Sequence, residues 1–150
     1  MKKTLIALVL FGVTGGVLAQ QTLKPEEMIK TRKAGYSFMS WNMGKIKSNL
    51  DGTFNKDQVI AAANLVAATA NSGMGALFGP GTDKDVGSEK TRVKPEFFQQ
   101  QDKVRELAMN FNKEANELAK VAETGDKAAI QAQFGKTGGT CKACHDAFRN

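Results

Sequence analysis

The sequence predicts an all-α protein, an antiparallel four-helix bundle. Along four separate stretches, apolar residues recur at spacings of three and four, which is the period of a helix. Sustained alternation of apolar and polar residues, which would predict strands, is nearly absent. Residues 72–94, between the second and third stretches, are rich in glycine and follow neither period, so they predict a long crossover connection. In such bundles, cofactors lie among facing helices.

The first helix is predicted to begin at Pro25, where Glu26 and Glu27 oppose the positive end of its dipole, and to end at Asp51-Gly52. Its stripe consists of Met28, Arg32, Gly35, Tyr36, Met39, Met43, Ile46 and Leu50. The second helix is predicted from about Asn55 to about Asn71. Its alanine-rich face implies close packing against a neighbouring helix.

The third helix is predicted to begin at Lys94-Pro95-Glu96, which repeats the chemistry of the first start, and to end at Thr124-Gly125. Asp126 is then placed to cap the fourth helix. One face of that helix carries Phe134, Cys141, Cys144, His145 and Phe148. The fourth helix is therefore the one on which a cofactor site is expected.

Residues 1–19 have the three parts of a secretory signal peptide. Lys2 and Lys3 precede an apolar run over 5–13, and a small-residue cleavage site ends at Ala19. A membrane anchor is the alternative, but the apolar run is short and is followed by Gly15 and Gly16. We expect cleavage after Ala19 and export to the periplasm, leaving residues 20–150 as one domain.

The remaining chain of about 130 residues is enough for one domain with a real core. Removing Lys2 and Lys3 lowers the formal net charge from +6 to +4. This excess is small and scattered, so it predicts no nucleic-acid partner, and no membrane association is expected once the signal is removed. It could still favour encounter with an acidic redox partner.

The run Cys141-Lys142-Ala143-Cys144-His145 contains both cysteines and the single histidine of the chain. A CxxCH run predicts covalent attachment of one haem c, because two thiols can add to its vinyl groups while the adjacent imidazole ligates the iron. Positions 141, 144 and 145 share one helical face. Because no second histidine exists, ligation by two histidines of one chain is excluded.

Other interpretations of the run are weaker. Structural zinc sites use about four Cys or His ligands, and this chain has three. A redox-active CxxC of thioredoxin type expects a βαβ context, which the flanking sequence lacks. A disulfide needs no histidine, and the export signal at the other end of the chain argues against a chance match. Gly138 and Gly139 either loosen the helix beside the haem or form a turn that begins a shorter fourth helix.

With this motif at the C-terminal end of a four-helix pattern, the chain resembles the cytochrome c′ family. The resemblance spans essentially the whole mature chain. Besides the CxxCH run, it rests on Lys24-Pro25-Glu26, the run 32–39, Phe78-Gly79-Pro80-Gly81-Thr82, Lys94-Pro95-Glu96 and the run 145–149. It implies haem c held by Cys141 and Cys144, with a five-coordinate, high-spin iron.

The resemblance also assigns roles near the proposed iron ligand. His145 would be the only protein ligand to the metal. Arg149, four residues later, matches a basic residue beside the proximal haem face; its alternative role is to interact with the negative end of the helix dipole. Arg32 matches an arginine that contacts a haem propionate. Lys33 stands where the family usually has glutamine, and could either reach a propionate or remain solvated.

Tyr36 matches the position whose side chain faces the vacant iron site in the family. It could serve as core packing and as a steric gate at once. Met39, one turn further, is expected to be core, and becomes a sixth ligand only if the helix is shifted.

The expected function is binding of small gases, nitric oxide and carbon monoxide, or transfer of single electrons, with nitric oxide binding or tolerance favoured. The alternative is a six-coordinate, low-spin electron carrier of the same fold. Catalysis is not expected, since no second histidine is available to move protons. Family members pair through their first two helices, so Trp41, Met43, Ile46 and Leu50 could contribute either to a homodimer or to the monomer core.

Overall fold

The computed structural model describes residues 23–150, which form the predicted all-α, four-helix bundle. Its helices are α1 (Pro25–Asp51), α2 (Lys56–Ala70), α3 (Glu96–Gln99), α4 (Gln101–Thr124) and α5 (Lys127–Phe148). The four long helices, α1, α2, α4 and α5, make the bundle. The expected signal peptide, residues 1–19, lies outside the described residues. No helix within 23–150 combines the length and the apolarity that crossing a bilayer requires.

Local capping chemistry explains why the helices begin and end where they do. The Asn55 side chain accepts a hydrogen bond from the Gln58 amide at 3.0 Å and caps α2. The Asp126 carboxylate accepts from the amides of Ala128 and Ala129 and caps α5. Gly125 ends α4 with a φ of +72°, a left-handed conformation that favours glycine.

The segment predicted as the third helix forms two helices, α3 and α4, which corrects the sequence prediction. At Gln100 the backbone leaves helical values (φ −108°, ψ 55°), so α3 ends and α4 begins there. The break lets Phe97 stack on Phe78, with ring centroids 4.4 Å apart, and meet Phe148 edge-to-face at 5.5 Å. Aromatic contacts of this kind contribute about 0.5–1.5 kcal/mol beyond buried area, so distant packing overrides the local helical period.

The main clusters of buried apolar side chains occupy the half of the bundle that contains the α1–α2 and α4–α5 turns. The larger cluster comprises Ile46, Leu50, Val59, Ala62, Ala63, Leu118, Ala122 and Ile130. A smaller adjoining cluster comprises Met39, Val66 and Ala115. Ile46 and Leu50 therefore belong to the monomer core, so the expectation that they could extend a dimer contact is wrong for these two residues.

The crossover connection is irregular, as predicted, apart from a single turn of 3₁₀ helix at Met74–Leu77 and two isolated backbone bridges. Met74 packs on α1 at Gly35, where an added Cβ would lie 2.8 Å from the Met74 methyl carbon. Gly35 thus permits a close approach between the connection and α1.

Candidate functional site

The CxxCH run lies on the last turns of α5. The helix continues through Gly138 and Gly139, so the alternative of a turn before a shorter fourth helix is wrong. Cys141 and Cys144 are partly buried and unpaired, while His145 is exposed. Because these residues sit at i, i+3 and i+4 of one continuous helix, the two thiols and the imidazole project from the same side.

The environment of the thiols disfavours redox or nucleophilic chemistry. Burial raises the pKa of Cys141, as does the neighbouring Cys144 thiol, and burial raises the pKa of Cys144. Reactive cysteines have lowered pKa values, commonly at the N-terminus of a helix. Here the thiols lie towards the C-terminus of α5, where the helix dipole is negative. The pair therefore fits thioether attachment better than a thioredoxin-type site.

An opening between α1 and α5 lies in front of these thiols. Helix α1 packs on α2, α2 on α4 and α4 on α5, whereas α1 and α5 barely touch. The two aliphatic clusters end at Met39, and towards the C-terminal end of α5 the packing is aromatic instead, with Phe148 buried against Phe97. A flat apolar group carried by α5 and facing α1 would complete the core there, which is the shape and chemistry of a haem.

Tyr36 faces this opening from α1. Its ring meets Phe78 edge-on at 6.4 Å and is 42% exposed. Burial raises the pKa of the hydroxyl to about 12, with smaller influences from Cys144 (upward), Arg32 (downward) and Cys141 (upward). The exposure of the ring argues for a small pKa shift and the desolvation of the hydroxyl for a large one, but both are compatible with a phenol that stays protonated at neutral pH.

Arg32 is buried, 3% exposed, at the edge of the same opening. Its Nη1 donates to the Leu77 carbonyl (3.1 Å) and the Thr82 hydroxyl (2.8 Å). Its Nη2 donates to the Thr82 carbonyl and the Thr91 hydroxyl, both at 2.8 Å. The guanidinium also lies 4.5 Å from the centroid of the Phe78 ring.

All these partners of Arg32 are neutral. Within residues 23–150, no carboxylate reaches ion-pair distance of it. Burial lowers the pKa of the guanidinium, opposed by a smaller upward influence of Tyr36. A buried cation is costly without an anion, and a haem propionate is an anion that fits here. The Nε donor of Arg32 is not used by the crossover connection.

Lys33 points elsewhere. Its ammonium is exposed and pairs with Glu89 of the crossover connection at 2.7 Å. An exposed pair of this kind is worth little, about 0–1 kcal/mol, so it could be exchanged for another anion. The propionate contact considered from the sequence stays a prediction, and it would require Lys33 to exchange Glu89 for the propionate.

Arg149 contacts the predicted iron ligand. Its Nη1 lies 3.5 Å from both ring nitrogens of His145. Equal distances to both nitrogens place the guanidinium over the ring, because the two nitrogens point apart in the ring plane. Arg149 is also the residue that follows α5, so it lies near the negative end of the dipole. Both roles expected for it are therefore geometrically compatible.

Met39 follows Tyr36 by three residues on α1 but is buried in the core. It is 5% exposed and packs with Val66 of α2 and Ala115 of α4. This is core packing, directed towards α2 and α4.

Several contributors were not predicted from the sequence. Thr82 and Thr91 hold Arg32, and Phe97 links Phe78 to Phe148. Phe78 and Thr82 fall in a block that carried the family resemblance, which was the one available signal. No sequence signal indicated a role for Thr91, since it lies in an aperiodic connection.

Taken together, the bundle, the CxxCH turn and the opening in front of it define a class of protein, the mono-haem c-type cytochromes. The family model for cytochrome c′ matches residues 27–149. Cytochrome c′ of Allochromatium vinosum is 54% identical over 149 residues, covering 99% of this chain and 96% of the relative. The chain therefore belongs to the cytochrome c′ family, whose cofactor is haem c.

Solved structures agree with this assignment. The crystal structure of cytochrome c′ from Thermochromatium tepidum has a TM-score of 0.84 and 59% identity, covering 85% of this chain and 98% of that one. A second cytochrome c′, with unusual ligand-controlled dimer dissociation, has a TM-score of 0.84 and 61% identity over 85% and 97%. A variant of cytochrome c′ from Alcaligenes xylosoxidans, solved as a nitric oxide complex, has a TM-score of 0.74 and 27% identity, covering 85% of this chain and 96% of that one.

Proposed function

We propose that this cytochrome holds haem iron through His145 alone and binds small diatomic gases, nitric oxide above all, on the opposite side. The single observation that carries the proposal is that Tyr36 lies half-exposed against Phe78 on α1, while Met39 is buried in the core against Val66 and Ala115. Bound haem supplies an iron that exchanges one electron and accepts a small ligand. A neutral phenol is a poor iron ligand, so Tyr36 serves as a steric gate.

The residues around the opening favour small neutral ligands. Tyr36 rests against Phe78, and a ligand that enters must displace or share this aromatic contact. Nitric oxide binds ferrous iron strongly enough to do so, and the relative from Alcaligenes xylosoxidans was solved with it bound. Catalysis is not proposed, because the only histidine of the chain is the iron ligand.

Two cations complete the proposed haem site. Arg32 would pair with a propionate through Nε, the donor that the crossover connection does not use, and its burial supports this role. Arg149 covers His145 on the proximal side. Lys33 is the weaker candidate for a propionate contact, since Glu89 already pairs with it.

The proposed setting is the periplasm. Residues 1–19 would direct export and be cleaved, and the attached haem would exchange electrons with a periplasmic redox partner. Binding nitric oxide there would lower its free concentration and so contribute to nitric oxide tolerance.

The proposed assembly is a homodimer through α1 and α2. Phe38 and Trp41 form a stacked pair, with centroids 5.7 Å apart, that is 50% and 57% exposed on α1. The solved relative with ligand-controlled dimer dissociation supports pairing. Trp41→Glu should shift sedimentation towards the monomer, whereas Met109→Glu on α4, at an equally exposed apolar residue, should not. Equal effects of the two changes would contradict an α1 interface.

The proposed iron site is tested by electronic absorption of the ferrous protein, alone and with nitric oxide. We expect a high-spin spectrum without ligand and a large change when nitric oxide is added. Met39→Leu is the matched control, because the alternative six-coordinate site would need that thioether. A low-spin ferrous spectrum that Met39→Leu converts to high spin would overturn the proposal in favour of the electron carrier.

A further inference from the structure

The end of the crossover connection is hydrogen-bonded to the residues that follow the haem motif. The amide of Lys94 donates to the carbonyl of Phe148 at 2.9 Å, and the amide of Asn150 donates to the carbonyl of Arg92 at 2.9 Å. Val93 and Arg149 thereby form an antiparallel backbone bridge. We call residues 91–94 the strap. It fixes the backbone of Arg149, whose guanidinium lies over His145.

The other end of the strap is tied to α1 through one hydroxyl. Thr91 Oγ1 accepts from Arg32 Nη2 at 2.8 Å and from the amide of Val93 at 3.3 Å. The amide of Thr91 donates to Asp85 Oδ1 at 2.9 Å, which holds the residue in place. Arg32, Thr91 and Val93 are therefore joined by consecutive hydrogen bonds, and Val93 is the bridge partner of Arg149.

We propose that Thr91 is a positioning residue: through the strap it sets where Arg149 lies over His145, and so links the buried cation on α1 to the proximal side of the iron ligand. This inference rests on the proposed function, in which His145 is the iron's one protein ligand. It adds a role for the crossover connection. A shift of Arg32 is transmitted through Thr91 to the bridge at Val93.

Aromatic packing gives the strap a firm base. Phe97, three residues after the strap, packs against Phe148, the residue next to Arg149. Phe97 also stacks on Phe78, over which Arg32 lies. The strap is therefore held on both sides by contacts that begin at Arg32 and end beside Arg149. Closely packed groups transmit small displacements to one another.

Thr91→Val tests the proposal, because it removes the hydroxyl and nearly preserves the shape. Thr82→Val is the matched control: Thr82 also accepts from Arg32 at 2.8 Å, but it is not bonded to the strap. Thr91→Ser restores the hydroxyl and should restore the original behaviour. Thr82 is fully buried, so its variant also shows whether lost stability alone changes the readouts.

The first readout is hydrogen exchange of the haem-loaded protein at the amides of Lys94 and Asn150, which are the two donors of the bridge. Thr91→Val should speed exchange there roughly five-fold, as expected when about one net hydrogen bond no longer protects the bridge. Thr82→Val should leave this exchange within about two-fold, because the hydroxyl of Thr82 makes no hydrogen bond to the strap.

The second readout is the iron–histidine stretching band in the resonance Raman spectrum of the ferrous protein. A cation over the imidazole withdraws electron density, so loosening Arg149 should raise the frequency and broaden the band. Arg149→Leu gives the band without a guanidinium, and Thr91→Val should move towards it while Thr82→Val and Thr91→Ser do not.

The possible outcomes separate the two proposals. If the unmodified protein shows no iron–histidine band because its iron is six-coordinate, the proposed function fails. If the band is present but Thr91→Val and the unmodified protein coincide in frequency and in exchange, the positioning role is overturned. Equal effects of Thr91→Val and Thr82→Val would also overturn it, since they would assign the change to lost stability.

Discussion

Replacing Arg32 by methionine should be among the most damaging single changes outside the CxxCH run. The change removes the donor of the Leu77 and Thr82 carbonyls, both held by the guanidinium at about the usual hydrogen-bond length. Methionine keeps a long side chain that can fill the space beside Phe78. What is lost is therefore mainly polar.

The expected cost follows from the contacts. Each buried acceptor left without a donor costs about 1–3 kcal/mol, and the contact with the Phe78 ring adds about 0.5–1 kcal/mol. Removing a desolvated guanidinium that has only neutral partners recovers part of this loss. A net destabilisation of about 2–4 kcal/mol results. For a domain of this size, it corresponds to a fall in Tm of roughly 6–20 °C.

Lys33→Met is the control, because it removes the same charge at the next residue. Lys33 has one exposed ion pair, so the expected cost is about 0–1 kcal/mol. The assay is urea unfolding of the ferric, haem-loaded proteins, followed by far-ultraviolet circular dichroism. Costs that agree within about 1 kcal/mol would refute the reasoning, since they would mean that the buried hydrogen bonds of Arg32 contribute little net stability.

Three further changes test other parts of the structure. Gly44→Ala should stabilise α1 by about 0.5–1 kcal/mol, because its added Cβ meets nothing within 4 Å. Gly35→Ala should not show this gain, because its added Cβ meets Met74. The midpoints of urea unfolding compare the two variants. Asp126→Ala removes the cap of α5 and should cost about 1 kcal/mol in the same assay, a result contradicted by an unchanged midpoint. Tyr36 has a pKa raised from 10.0 to about 12, so the folded state holds this proton more tightly than the unfolded state does. Its contribution to stability is therefore complete below pH 10 and is lost as the pH rises towards 12. The phenolate absorbance of this single tyrosine should appear near pH 12, and Tyr36→Phe should remove this part of the loss of stability at alkaline pH. A phenolate that appears near pH 10 would contradict the prediction.

The helices could be predicted because their signals are local. Asn55, Gly125 and Asp126 act within one turn of themselves, and their chemistry is visible in the sequence. The break at Gln100 could not be predicted in this way. It depends on Phe97 packing against Phe78 and Phe148, which lie far from it along the chain.

The same distinction separates the parts of the site. Cys141, Cys144 and His145 are contiguous, so their spacing alone predicts that they act together. The partners of Arg32 come from an aperiodic connection, and nothing in its pattern indicates that Thr82 and Thr91 converge on one guanidinium.

The two halves of the bundle are stabilised by different means. The half with the α1–α2 and α4–α5 turns has an aliphatic core, so its packing is complete without a cofactor. The other half is held by a buried cation, by aromatic rings and by the strap, with α1 and α5 left apart. Aliphatic side chains at the same positions would pack together and close that opening. Aromatic and cationic side chains leave room for a flat group with anionic substituents. In the proposed haem site, Tyr36 and Phe78 would line the ligand side, and the strap and Arg149 would lie on the proximal side. Each side of the site would then depend on a different element of the fold.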